Sequence, residues 1–480
     1  MNHSKPFKLA ILPVMISALS GCGDDNLDPN AINAPNSYTF SHPETDNSTV
    51  AFLEATTRNL LIEELSTLIQ SDYLQTLGQT EGQQAVISKL NQIYQTGTML
   101  TESDNLAVSD LYTGDQSASA ISNQPDTSLA IQQSNFSQLT SDVNLQSKMP
   151  GIAYPLHYTD SIETAESTPE NPIYEDIPDF YGWALFGINS DNEYPDRLIQ
   201  EWFKAIASLA IDNDDSTRTT NTTNGINYER LIAAFLDGAI RYGQATSEHL
   251  ASDALSADNT RTDTYTELEH QWDLAYGYLG ANTHAPAETN TELTESLIYD
   301  INQDDSLDLS QEYRYSFIQA FAQRDIDSPL ADTRYAQNLL DSLVLGRFLI
   351  SQSANTGTLE SRVEEYRLKA IQNWEKALAA TIIHHLNLAA KQASLYKADS
   401  DDYNETEYFD NWSTMKGYAL ALQFNPDTSI SQEDLETIIF NMDQQVDLEL
   451  TGNGFLNDLF ESRSLLADNL GFSNQNVASW

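Results

Sequence analysis

Apolar residues recur at spacings of three and four along most of this chain, the period of helices that bury one face. Leu60, Leu61, Leu65 and Leu68 mark one helix, entered from a short extended piece, "STVAFLEAT" (48–56). Val86, Leu90 and Ile93 mark a second, ended by "TGT", and a third is expected within Leu129 to Val143. Longer helices are expected at about 196–213, 226–253, 263–280, 333–355, 359–395, 405–424 and 432–448. Two-residue alternation is scarce, so the fold class is all-α: a multi-helix bundle or helical-repeat-like array. The period breaks between 146 and 195, where Pro, Gly and aromatics ("YEDIPDFYGWALFGINSDNEYPD") indicate a long irregular insertion.

Three of the helices share a local pattern. "QWDLAYGY" (271–278), "NWEKALAA" (373–380) and "NWSTMKGY" (411–418) each carry a tryptophan with a small residue five positions on: Gly277, Ala379 and Gly417. Glycine inside a helix costs about 1 kcal/mol relative to alanine. Its use here implies close helix approach, with the tryptophan filling the neighbouring groove. The pattern is then a repeated packing unit; the alternative is an aromatic ligand cleft formed by Trp183, Trp272, Trp374 and Trp412.

Charge narrows the partners. Lys and Arg number 23 against 71 Asp and Glu, a net of −48 at pH 7. Such a surface repels nucleic acid and anionic headgroups and attracts cations. It suits either a saline habitat, where salt screens the self-repulsion, or recruitment of metal.

The first residues resemble a bacterial lipoprotein signal. Lys5 and Lys8 precede an apolar run from Leu9 to Leu19 that is too short to span a bilayer, and Leu19-Ser20-Gly21-Cys22 resembles a lipobox. The expected organisation is a signal peptide over 1–21 and an acylated Cys22 opening a flexible tether to 45. A helical domain over 46–450 and a C-terminal helical tail over 451–480 complete it. Cys22 is the one cysteine in the chain, and Gly23 rather than aspartate follows it. In lipoprotein sorting that tilts the expectation toward the outer membrane, with the protein held by its lipid anchor and facing the periplasm or the cell surface.

"DINQDDSLDLSQE" (300–312) has the spacing of an EF-hand-like calcium loop. Counted from Asp300, oxygen donors fall at Asp300, Asn302 and Asp304, the backbone carbonyl of Ser306 and Asp308, with Leu307 as the apolar pin. Two positions depart from the pattern. Asp305 stands where glycine makes the sharp turn, and Glu312 comes one place late for bidentate closure. A transition-metal alternative starts from the Glu-x-x-His pair Glu267 and His270, joined by His384 or His385. Di-iron bundles need two such pairs, and no second is found. Nothing matches a nucleophile elbow, a phosphate loop or a dinucleotide fingerprint, so no catalytic residues are assigned.

The segments 225–250, 268–280 and 373–387, with the acidic loop and the "EYRYSF" after it, resemble an uncharacterised bacterial lipoprotein family of the domain-of-unknown-function 4856 type, over roughly residues 35–450. That resemblance implies a helical, surface-anchored protein without an assigned reaction, and a calcium-type loop at this place. In general style the family is similar to imelysin-like, iron-regulated lipoproteins, whose Gly-x-His-x-x-Glu motif is missing here; Gly243–His249 is the nearest approach. The expected function is a binding or assembly module at the cell envelope with one structural Ca²⁺. Its partner would be another envelope protein or a small-molecule or metal ligand. Envelope iron or haem acquisition is the alternative, and hydrolysis the third.

Overall fold

The structure, a computed structural model, describes residues 34–96, 127–133, 139, 143–152, 195–211, 224–261, 264–295, 297–443, 445–448 and 453–480. Cys22 and Trp183 lie outside them. The fold is all-α. Fourteen α-helices are set among the described residues: α1 (Leu53–Gln70), α2 (Asp72–Glu81), α3 (Gln83–Asn91), α4 (Pro195–Ile211), α5 (Tyr228–Leu236), α6 (Glu267–Leu279) and α7 (Asn290–Glu295) in the first half. The second half holds α8 (Ser316–Asp327), α9 (Tyr335–Ser353), α10 (Arg362–Lys397), α11 (Glu405–Ala421), α12 (Gln432–Asn441), α13 (Gly454–Leu470) and α14 (Asn474–Ser479). Two short strands, β1 (Ala130–Ile131) and β2 (Ser306–Leu307), pair in parallel.

Residues 34–480 make one compact unit, so the segment after 450 is not a separate tail. The long helix α10 is its spine, touching α8, α9, α11, α13 and α14, while α11 packs on α5 and α1 on α5 and α6. Residues 34–45 are in the fold rather than in a tether. Tyr38 is buried, stacks on Tyr276 at 3.6 Å and donates from its hydroxyl to Asp273 at 2.9 Å. The third helix expected between Leu129 and Val143 is also absent from its described part: Ala130 and Ile131 are extended, because their backbone is taken up by the 305–307 segment.

The Trp-and-small-residue pattern is packing. Trp272 lies across Gly346 of α9, where an added Cβ would come within 2.0 Å of its ring, and its indole N–H donates to the Leu343 carbonyl at 2.8 Å. An added Cβ on Gly277 would meet Phe52 at 2.6 Å, and one on Gly417 the Leu231 carbonyl at 2.7 Å. These crossings close because no Cβ stands between the helices. Trp272, Trp374 and Trp412 are fully buried, so they cannot line an open cleft: burying so much apolar surface in the core is the stronger use of an indole.

The same helices bury a charged network. A capping box starts α6, with the Thr266 side chain accepting from Glu269 N–H and Glu269 reaching back to the Thr266 N–H. Glu269 and Asp273, one turn apart on α6, then face Arg347 of α9. Arg347 Nε donates to Asp273 at 2.7 Å, Nη1 to Glu269 at 2.9 Å and Nη2 to the Thr49 carbonyl at 3.2 Å. The N-terminal segment is thereby tied to the centre of the bundle.

Candidate ligand-binding site

α5 begins as an ordinary helix, with the Asn227 side chain accepting from the N–H groups of Glu229 and Arg230 at 3.1 and 3.4 Å. After Leu236 the turn widens to π-helical through Asp237–Tyr242, and again through Gln244–His249. Such turns are rare and gather at functional sites, since one extra residue per turn re-aims the side chains around it. Gly238 lets the widened turn lie against α11, because a Cβ there would sit 1.8 Å from that of Ala421.

The widened turn brings Asp237 and Arg241 to the wall of a cavity of about 530 Å³. α1 supplies Glu63 and Ser66, α5 supplies Glu229 and Arg230, and Tyr313 and Ser316 come from the approach to α8. Tyr418 of α11 closes the far side, its hydroxyl donating to Asp237 Oδ2 at 3.2 Å. Glu229 pairs with Arg230 at 3.3 Å and accepts the Ser66 hydroxyl.

Arg241 is 1% exposed. Its Nη2 donates to the Asn59 carbonyl at 3.3 Å and lies 3.9 Å from Glu63. Nε stands 3.1 Å from Asp237 Oδ1 but out of line for a hydrogen bond, and neither Nε nor Nη1 finds a hydrogen-bond partner among the described residues. Glu63 keeps 22% of its side chain open. Desolvation pushes its carboxyl up to about 7; Asp237 adds to this, while Arg241 and the Ser316 N–H oppose it. Desolvation also raises the Asp237 carboxyl against the pull of Arg241. The cavity thus holds two carboxyls displaced toward their neutral form beside an incompletely bonded guanidinium.

Most of this wall falls in one stretch of the chain. Residues 203–338 match the domain of unknown function DUF4856. That DUF4856 segment contains Glu229, Arg230, Asp237, Arg241, Tyr313 and Ser316, whereas Glu63 and Tyr418 reach the cavity from outside it. It is shorter than the 35–450 span over which the resemblance was expected. No curated protein and no solved structure matches the chain.

The acidic loop also lies in the DUF4856 segment. Ile298 and Tyr313 bridge its base in antiparallel fashion. Gln303 and Asp305, fourth and sixth in the loop, take left-handed backbone with φ of 58° and 61°. Asp300 accepts from the N–H groups of Asp304 and Asp305, and Asp304 accepts from Asn302 Nδ2 at 3.0 Å and Ser306 N–H at 2.8 Å. Asp300, Asn302, Asp304 and Ser306 are therefore brought together. Asp308 and Glu312 are engaged differently: Asp308 accepts from Gln133 at 2.9 Å and Ser310 N–H at 2.9 Å, while Glu312 accepts from Ile301 and Asp308 N–H at 3.0 and 2.8 Å. A Glu one place late braces the loop across its base instead of closing its mouth.

The histidines hold separate partners. His270 Nδ1 is 3.0 Å from the Ala51 carbonyl, with Tyr265 stacked on its ring, and Glu267 accepts from Gln271. His385 Nδ1 is 2.8 Å from Asn411, and burial pushes His385 down to about 3 and His384 down to about 4. Among the described residues no group of three or more His, Cys, Asp and Glu side chains is placed to hold a metal ion, and no helix is long and apolar enough to cross a membrane.

Glu63, Asp237, Arg241 and Tyr418 were not singled out as site residues from the sequence. A signal was there for two of them: "LIAAFLDGAIRYG" sets an Asp and an Arg four apart in an otherwise apolar run.

Proposed function

We propose that the protein is a binding or assembly module of the cell envelope, lipid-anchored through Cys22, whose polar cavity seats a small ligand. The observation that carries this reading is the cavity wall itself, where Glu63, with 22% of its side chain open, meets Glu229, Arg230 and Asp237. A volume of about 530 Å³ is within the range of small-molecule sites. The net charge of −48 argues against nucleic acid as the occupant.

The acidic loop serves this module as a structural Ca²⁺ site. Asp300, Asn302 and Asp304 supply side-chain oxygens, Ser306 its carbonyl, and Asp308 and Glu312 hold the frame. Bound calcium would supply the positive charge that lets these oxygens sit together at loop positions closed by two non-glycine left-handed residues. The check is thermal unfolding in EDTA and then with Ca²⁺, Mg²⁺ or Fe²⁺. Calcium at 100 times its dissociation constant is expected to stabilise by about 2.7 kcal/mol, an effect lost in Asp300→Ala. Equal melting with and without calcium would remove the site.

One observation favours a second reading, hydrolysis. A glutamic acid displaced to about 7 beside Asp237 and Arg241 has the character of a general acid or base. Turnover of any ester, amide or glycoside that follows a pH profile centred near 7 and disappears in Glu63→Gln would move the site from binding to catalysis.

A further inference from the structure

We infer that the cavity seats a small primary alkylammonium, a ligand that brings both a positive charge and N–H donors, with Glu63 as the group that receives it. This rests on the reading of the cavity as a ligand seat.

The groups a ligand can reach are those with open surface. Glu63 keeps 22% of its side chain open, whereas Glu229 keeps 3% and Asp237 10%. Asp237, Arg241 and Tyr418 engage one another within the wall, with the Tyr418 hydroxyl on Asp237 Oδ2 and Arg241 Nε 3.1 Å from Oδ1, and no ligand contact is assigned to them. Arg230 is open but paired with Glu229 at 3.3 Å. Two half-buried hydroxyls of the wall have already committed their hydrogens: Ser66 donates to Glu229, and Thr414 to the Asp410 carbonyl at 2.8 Å. A hydroxyl whose hydrogen is committed can only accept, so Ser66, Thr414 and the Glu63 carboxylate suit a donor. Charge points the same way. The wall carries Glu63, Glu229 and Asp237 against Arg230 and Arg241, so a cation evens the balance and an anion worsens it. Desolvation displaces Glu63 toward its neutral form, and an ammonium beside it restores the charged form. Ile62, Ala233 and Leu297 give the same cavity an apolar side for a short alkyl chain.

The test titrates the full chain, at pH 8, with four probes that share one alkyl chain: n-butylammonium, butyltrimethylammonium (the charge without donors), 1-butanol (a donor without the charge) and butyrate (an anion). Ligand-observed NMR follows them, since it registers weak binding. The trimethyl probe is the control for surface attraction, because a chain of net charge −48 gathers any cation around it. The expected result is binding of n-butylammonium at least roughly tenfold tighter than of each other probe, since a charge-assisted hydrogen bond contributes on the order of a factor of ten. Glu63→Gln keeps the length of the side chain and removes its charge. It should bring n-butylammonium down to the level of the trimethyl probe, and its melting temperature shows that the fold is kept. Ala233→Leu, which narrows the cavity and leaves Glu63 in place, should weaken n-butylammonium as well. A preference for n-butylammonium that survives Glu63→Gln overturns the role given to Glu63. Preference for another probe, lost in Ala233→Leu, overturns the ammonium and leaves the cavity as a binding site. No binding of any probe, or binding that neither variant changes, overturns the inference and the cavity reading together.

Discussion

Two buried arginines, Arg347 and Arg241, lie in the same bundle and are treated in opposite ways. Arg347 has no exposure, and all three of its guanidinium nitrogens are hydrogen-bonded: two carboxylates, Ser351 and the Thr49 carbonyl surround it. Its neighbours keep it charged, and Asp273 does more of this than Glu269. Arg241 is almost as buried, yet two of its nitrogens lack hydrogen-bond partners; burial raises its carboxylate neighbours Glu63 and Asp237, as it raises Asp273 beside Arg347. A completed ion network is part of the frame. The other is less completely hydrogen-bonded and stands at a cavity wall on a π-turn.

Mutation can break this comparison. Arg347→Met leaves Asp273 buried without a cation, while Glu269 keeps Arg261, and is expected to cost about 3–5 kcal/mol, read as a lower thermal midpoint. Arg241→Met should cost less than about half as much, because one hydrogen bond is lost there, to the Asn59 carbonyl, against several at Arg347; equal losses would make Arg241 a frame residue too.

Acidity separates the regions next. Glu63 holds its proton more tightly folded, to about 7, than unfolded, near 4.5. The folded state therefore binds more protons between those values, so this group's stabilisation is full below about 4.5 and is lost as pH rises to 7. Glu63→Gln removes that loss, and above pH 7 the variant should be more stable than the parent by about 2–3 kcal/mol. Identical pH–stability curves would mean that Glu63 is solvated. The smallest effect tests the rim of the completed network. Thr266→Ala removes the cap that orients Glu269 and should cost about 1 kcal/mol at all these pH values.

The fold was largely legible in the sequence, since the apolar period fixes helices wherever it persists, and a tryptophan with a small residue five positions on marks where helices meet. Residues 34–45 and the 129–133 segment were misread for a common reason: their structure comes from partners far along the chain, Tyr276 and Asp273 for the first and the 305–307 backbone for the second. The acidic loop was visible as a pattern of oxygens, but its division into loop side chains and bracing carboxylates was not, because the bracing uses Gln133 from 175 residues away.

Helix class, the places of close helix approach and the strongly acidic balance follow from the sequence, because local period, side-chain volume and charge are carried by residues near one another in the chain. The cavity was decided only by the tertiary structure. A glutamate of α1, an aspartate and an arginine on a widened turn and a tyrosine of α11 acquire their joint chemistry from desolvation and mutual distance, and neither exists until the helices are packed.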